Sequence, residues 1–142
     1  MLTGPILIIE DDSNDLDVMT HAIKENGFEN EVMRFLTAKD ALEYLLTTKD
    51  QPFIILCDIH MQVMNGLEFR NVINKNELLR RKSIPFIFFT GVVSPQIVFE
   101  AYDLTVQGFF EKPGNYEDLK TQMHAVISYW RHCLHPNNCQ PS

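Results

Sequence analysis

Five short apolar runs divide this chain, and the segment after each has the periodicity of a helix. The runs Pro5–Ile9, Phe53–Cys57 and Ile84–Phe89 are continuous, and those at Glu31–Leu36 and Val106–Phe110 are weaker. Continuous rather than alternating apolarity suits strands covered on both faces, as in a parallel sheet. Leu16, Met19 and Ile23 fall on one helical face, and Gly27 stands where a left-handed residue would end that helix. Thr37 is placed to cap a helix carrying Ala38, Ala41, Leu42 and Leu45, with Asp40 at the capping-box position. Asn65 and Glu68 open another, with Phe69, Val72 and Ile73 inward. Ser94-Pro95 reads as an N-cap and an N1 proline opening Gln96–Leu104. Asn115 and Asp118 open the last helix, whose stripe is Leu119, Met123, Val126, Ile127 and Trp130. The segment His135–Ser142 has two prolines and no periodicity, and reads as a frayed tail.

Five strand–helix units obeying the right-handed crossover rule give an α/β fold: a doubly wound, flavodoxin-like (βα)5 sandwich around a parallel sheet in the order 2-1-3-4-5. A chain of 142 residues suits one such domain. Twelve Lys+Arg against 19 Asp+Glu leave a formal charge of −7, which argues against a nucleic-acid partner, since phosphate binding needs a basic surface. No apolar run reaches the ~18–20 residues of a bilayer span. The start MLTGPILIIEDD lacks the basic region and cleavage site of a signal peptide. Cys57, Cys133 and Cys139 leave one thiol unpaired in any scheme, so the expectation is reduced cysteines and a cytoplasmic address.

In doubly wound sheets, ligands sit outside the carboxyl ends of the strands. Here strand one ends in Glu10-Asp11-Asp12, strand three in Asp58, strand four in Thr90-Gly91 and strand five in Lys112-Pro113. Converging carboxylates repel unless a cation balances them, and a hard divalent ion such as Mg2+ favours such oxygens. A carboxylate at that rim can act as a nucleophile toward phosphorus. A lysine and a hydroxyl beside it complete a site for a transferring phosphoryl group. Each part has a plainer reading: the acidic triplet as a helix-start cluster, Asp58 as a turn residue, Thr90 as a strand end, Lys112-Pro113 as a solvated turn. All four at the ends of the right strands are much harder to explain that way.

The stretches ILIIEDD, CDIHMQVMNGLEF, FIFFTG and GFFEKP resemble the response-regulator receiver domains of two-component signalling, over about Pro5 to Trp130. The resemblance implies that Glu10 and Asp11 are the acidic pair holding Mg2+, that Asp58 is the phosphoacceptor and metal ligand, and that the His60 main-chain carbonyl is a further ligand. It implies that Thr90 is the switch hydroxyl, Lys112 the lysine that pairs with the phosphoryl group, and Phe109 the aromatic rotamer switch. A cis bond before Pro113 is expected on the same ground. The expected organisation is a receiver over residues 1–132, a tail over 133–142 and no output domain. The expected partners are a sensor histidine kinase and a downstream protein. More finely, MNGLEF, AYDL, GFFEKP and ISYW are similar to single-domain regulators paired with phytochrome-type histidine kinases, which associate through their C-terminal side. A homodimer through the helix opened by Ser94, the fifth strand and the last helix is therefore a further expectation.

Two positions depart from the family, and two more fall where it varies. Gln62 replaces the usual proline, which is expected to loosen the loop after Asp58. Gly91 replaces the frequent alanine and is expected to leave the phosphoryl group open. His60 and Val92 occupy the two positions the family varies to tune autodephosphorylation. An Mg2+-dependent aspartyl phosphatase of the haloacid-dehalogenase kind is an alternative, but it needs a second acid where His60 stands. A receiver-like interaction module that is never phosphorylated is another, and the intact acid, threonine and lysine set argues against it. Cys57 should face away from Asp58 and pack in the core. His21 and His124 read as surface residues. His132, Cys133, His135 and Cys139 match no zinc spacing.

Overall fold

The computed structural model describes residues 4–139. Five strands, β1 (Ile6–Ile9), β2 (Val32–Phe35), β3 (Ile54–Cys57), β4 (Phe86–Thr90) and β5 (Gly108–Glu111), form one parallel sheet in the order β2-β1-β3-β4-β5. The helices are α1 (Ser13–Glu25), α2 (Ala38–Thr47), α3 (Gly66–Lys75), α4 (Glu77–Arg81), α5 (Pro95–Asp103) and α6 (Tyr116–His132). This is the expected doubly wound topology.

The residues of β1, β3 and β4 are buried throughout, as their continuous apolar runs require, whereas the edge strands β2 and β5 are only half covered. Alternate side chains go to opposite faces. Leu7, Ile9, Ile55, Cys57, Phe86 and Phe88 join residues of α2, α3, α4 and α5. Ile6, Ile8, Ile54, Leu56, Ile87 and Phe89 join α1 and α6.

Helix starts follow the capping residues. The side chains of Asp12, Thr37, Asn65, Ser94 and Asn115 accept backbone N–H groups at the starts of α1, α2, α3, α5 and α6. Asn65 and Glu68 form a reciprocal capping box. Gly27, with φ 83°, follows the end of α1 as its position implied.

Four expectations are corrected. Helix α4 adds a sixth helix: its five residues, capped by Asn76, are too few to carry a readable period. Val72, expected inward on α3, is exposed, because Phe69, Arg70 and Ile73 take the buried face. No peptide bond is cis among the described residues, so the bond before Pro113 is trans; the two forms of such a bond differ by only about 0.5–1 kcal/mol. The C-terminal segment is not frayed over its described residues. His135 is buried, its Nε2–H donates to the Phe53 carbonyl at 2.6 Å, and its Nδ1 accepts the Asn137 N–H at 3.0 Å. Asn137 also accepts the Gly4 N–H and donates to the Gln51 carbonyl. The tail is thereby strapped under the amino ends of β1 and β3.

Candidate functional site

The candidate side chains of Glu10, Asp58, Thr90 and Lys112 stand at the opposite end of the sheet, each on a residue at or just past the end of its strand. The ladder of backbone hydrogen bonds continues through them. Glu10 N–H donates to Phe35, Asp58 N–H to Ile9, and Lys112 N–H to Thr90. Their backbones are therefore fixed by the sheet while their side chains stand beyond it.

The acidic triplet of strand one divides its work. Glu10 is buried, and its two oxygens take the Lys112 ammonium and the Asp12 N–H. Asp12 is the N-cap of α1, accepting the N–H groups of Asn14 and Asp15. Asp11 is exposed beside the site. The helix-start reading is correct for Asp12 and wrong for its neighbours. Carboxylate oxygens of Glu10, Asp11 and Asp58 all lie within 4.8 Å of one another, the one such grouping of three or more acid, histidine or cysteine side chains among the described residues. That donor set, all hard oxygen and partly buried, fits a divalent cation of the Mg2+ type.

Asp58 is 8% exposed. Its Oδ1 accepts the Ile59 N–H at 2.8 Å, and its Oδ2 faces Lys112 Nζ at 3.5 Å. Burial lowers the proton affinity of Lys112, but the hydrogen bonds it donates to Glu10 and Asp15 and the charges of Asp58 and Glu10 outweigh it, so the ammonium is held firmly charged. Burial raises the Glu10 carboxyl to about 7; the Lys112 hydrogen bond opposes the rise and the Asp58 charge adds to it. The site is thus a set of acids under mutual repulsion, restrained by one lysine.

Thr90 is fully buried, and its hydroxyl has no hydrogen-bond partner among the described residues. A buried hydroxyl left unpaired costs about 1–3 kcal/mol, so a partner that arrives later is stabilising. Phe109 is half-buried and packs edge-on against Phe88, 6.1 Å between ring centres. Residue 91 has open space where a side chain would begin, which agrees with the expected access at Gly91.

The loop after Asp58 is tied rather than loosened. Gln62 has the N–H that proline lacks, and it donates to Asp11 Oδ2 at 3.3 Å. His60 is exposed, and its Nε2–H donates to the Val92 carbonyl at 3.1 Å, so the two variable positions touch. Gly66 packs under the loop: a Cβ there would collide with the Asp58 carbonyl oxygen. Cys57 packs in the core with its thiol donating to the Asp58 carbonyl, and burial pushes that thiol well up. His21 and His124 are on the surface as expected. His135 turns inward, so the tail histidines and cysteines gather no metal set among the described residues.

Sequence reasoning missed Asp15. It lies in the first turn of α1, where a carboxylate is ordinary, and nothing in its spacing signals that its Oδ2 stands 2.9 Å from Lys112.

The chain matches the response regulator receiver domain family over residues 6–124. It is 28% identical over 129 residues to the probable methanogenesis regulatory protein FilR2 of Methanothrix harundinacea (strain 6Ac), covering 88% of this chain and 82% of FilR2. It is 25% identical over 130 residues to the response regulator Rcp1 of Synechocystis sp. (strain ATCC 27184 / PCC 6803 / Kazusa), covering 88% and 87%. The crystal structure of the phosphorylated cyanobacterial phytochrome response regulator RcpA superposes with a TM-score of 0.84 at 22% identity, covering 94% of this chain and 98% of that one. The Mn2+-bound form of Rcp1 superposes with a TM-score of 0.78 at 23% identity, covering 98% and 99%. Among the described residues no helix is long and apolar enough to cross a membrane. The sheet order, the acids at its carboxyl end and the match over residues 6–124 agree: this chain belongs to the response regulator receiver domain family of two-component signalling.

Proposed function

We propose that this chain takes a phosphoryl group onto Asp58 from the phosphohistidine of a sensor histidine kinase, and that the modified protein changes its protein contacts. The observation that carries this reading is the meeting of Glu10, Asp11 and Asp58 within 4.8 Å beside the Lys112 ammonium. Glu10, Asp11, Asp58 and the His60 carbonyl would hold Mg2+, which when bound supplies positive charge against the phosphoryl oxygens. Asp58 is oriented for attack by the Ile59 N–H on one oxygen, which leaves the other toward the incoming phosphorus. As the Asp58 O–P bond forms, the P–N bond of the donor breaks, its electron pair staying on the imidazole nitrogen.

Lys112 then pairs with the new phosphoryl oxygens, and the unpartnered Thr90 hydroxyl donates to them. Movement of Thr90 opens room into which Phe109 turns. The element best able to respond is α5, which fully buries only Ala101 and exposes Phe99 and Tyr102. The face of α5, β5 and α6 is where a downstream protein, or a second copy of this chain, would read the change. Phosphorylation acts as a ligand that shifts the population between two states. Likeness to the bacteriophytochrome response regulator AtBRR, 26% identical with a TM-score of 0.71, favours a phytochrome-type kinase, free-standing or hybrid, as the donor.

The test is labelling by acetyl phosphate. Wild type should gain one Mg2+-dependent, base-labile phosphate and Asp58→Asn none. Unchanged labelling of Asp58→Asn would overturn the assignment.

A further inference from the structure

Lys112 has three N–H donors and three carboxylate partners: Glu10 Oε1, Asp15 Oδ2 at 2.9 Å and Asp58 Oδ2 at 3.5 Å. The longest contact is the one to the phosphoacceptor. The ammonium therefore leans toward the α1 side of the site, where Asp15 stands. Asp15 is set there by Asp12, whose Oδ1 accepts the Asp15 N–H at 3.1 Å.

We infer that Asp15 is a positioning residue, holding Lys112 back from Asp58 until the phosphoryl group arrives. This rests on the receiver reading above. A lysine closed onto Asp58, itself only 8% exposed, would occupy the oxygen that must face the phosphorus and would neutralise its charge where little water screens it. With Asp15 and Glu10 engaged, the ammonium restrains the acids without blocking the nucleophile.

Exposure decides which partner can be exchanged. The Glu10 side chain is 2% exposed and has no water to replace the lysine, whereas the Asp15 side chain is 47% exposed. After transfer, the charge of Asp58 moves outward onto the phosphoryl oxygens. Lys112 can then pass the N–H held by Asp15 to one of those oxygens, and water takes its place at Asp15. A carboxylate in the first turn of α1 also offsets the helix dipole. That effect needs no lysine, so the two roles separate experimentally.

The experiment is a double-mutant cycle read by calorimetric Mg2+ titration of wild type, Asp15→Asn, Lys112→Met and the double variant. Asp15→Asn should weaken Mg2+ binding about three- to tenfold while Lys112 is present, and less than about twofold in Lys112→Met. In the Lys112-containing protein, Asp15→Asn should also slow acetyl phosphate labelling at saturating Mg2+. Asp15→Glu, which keeps the carboxylate, should restore most of both. Equal losses in the two lysine backgrounds, no loss in either, or tighter binding would each overturn the proposal. The Asp58→Asn control keeps the two readings apart: if it still labels, the receiver reading fails. If it behaves as expected and the cycle shows no coupling, only the role of Asp15 fails.

Discussion

Val63 holds a conformation that a β-branched residue rarely adopts, φ 70°, with its side chain fully in solvent. Left-handed backbone costs an L-residue of this kind about 1–2 kcal/mol. Nothing packs against the isopropyl group to repay that. Val63→Asn should therefore raise unfolding stability by about 1 kcal/mol, read as a higher midpoint in urea with an unchanged slope. Its neighbours show what was and was not legible at this scale. Asp58, Glu10, Asp11, Thr90 and Lys112 were readable because each follows a run of strand residues, and strand ends place side chains in a known direction. Asp15 was not, because its role depends on a lysine 97 positions away. Gln62 read as a loosening of the loop. Its backbone does the reverse, since a main-chain donor is invisible in a side-chain pattern.

Between elements, the C-terminal strap is the largest departure from expectation. A lone histidine in an aperiodic tail carries no signal for docking. The fold uses it because both ring nitrogens find partners only in the neutral form, one donating to Phe53 and one accepting from Asn137. Burial lowers the His135 pKa below 6.5, with the Phe53 bond opposing. The unfolded chain then binds the proton more readily than the folded one. The stability from this group is complete above pH 6.5 and is lost as pH falls below it toward the folded pKa. Stability between pH 7.5 and 5 should drop more in wild type than in His135→Phe, with denaturant unfolding at each pH as the measurement. Elements with strong caps and stripes were legible throughout. The five-residue α4 was not, since one turn of helix has no period to read.

The whole molecule is polar along its strands. Acids gather at the carboxyl end of the sheet, while the strap seals the amino end. The net charge of −7 is therefore unevenly costly: three of its acids converge on a single site where only Lys112 opposes them. A divalent cation that binds the folded protein alone should stabilise it by about 2.7 kcal/mol at a hundredfold excess over Kd. The thermal midpoint should rise with Mg2+ and fall back with EDTA. Asp11→Asn should shrink that rise; a rise of unchanged size would place the cation elsewhere.

The strap also settles what the protein can reveal about itself in plain fluorescence. Trp130 is the only tryptophan in the chain, and it stands edge-on to His135, 6.4 Å between ring centres. His135 in turn touches Phe53 at the start of β3, whereas Asp58 follows its end, about 16 Å away along the strand. The indole is thus an optical gauge placed at the far side of the sheet from the chemistry. It stands too far from Asp58 to sense a phosphoryl group there directly, so a change in its emission on acetyl phosphate treatment would report a rearrangement relayed through the sheet or a contact newly made at α6.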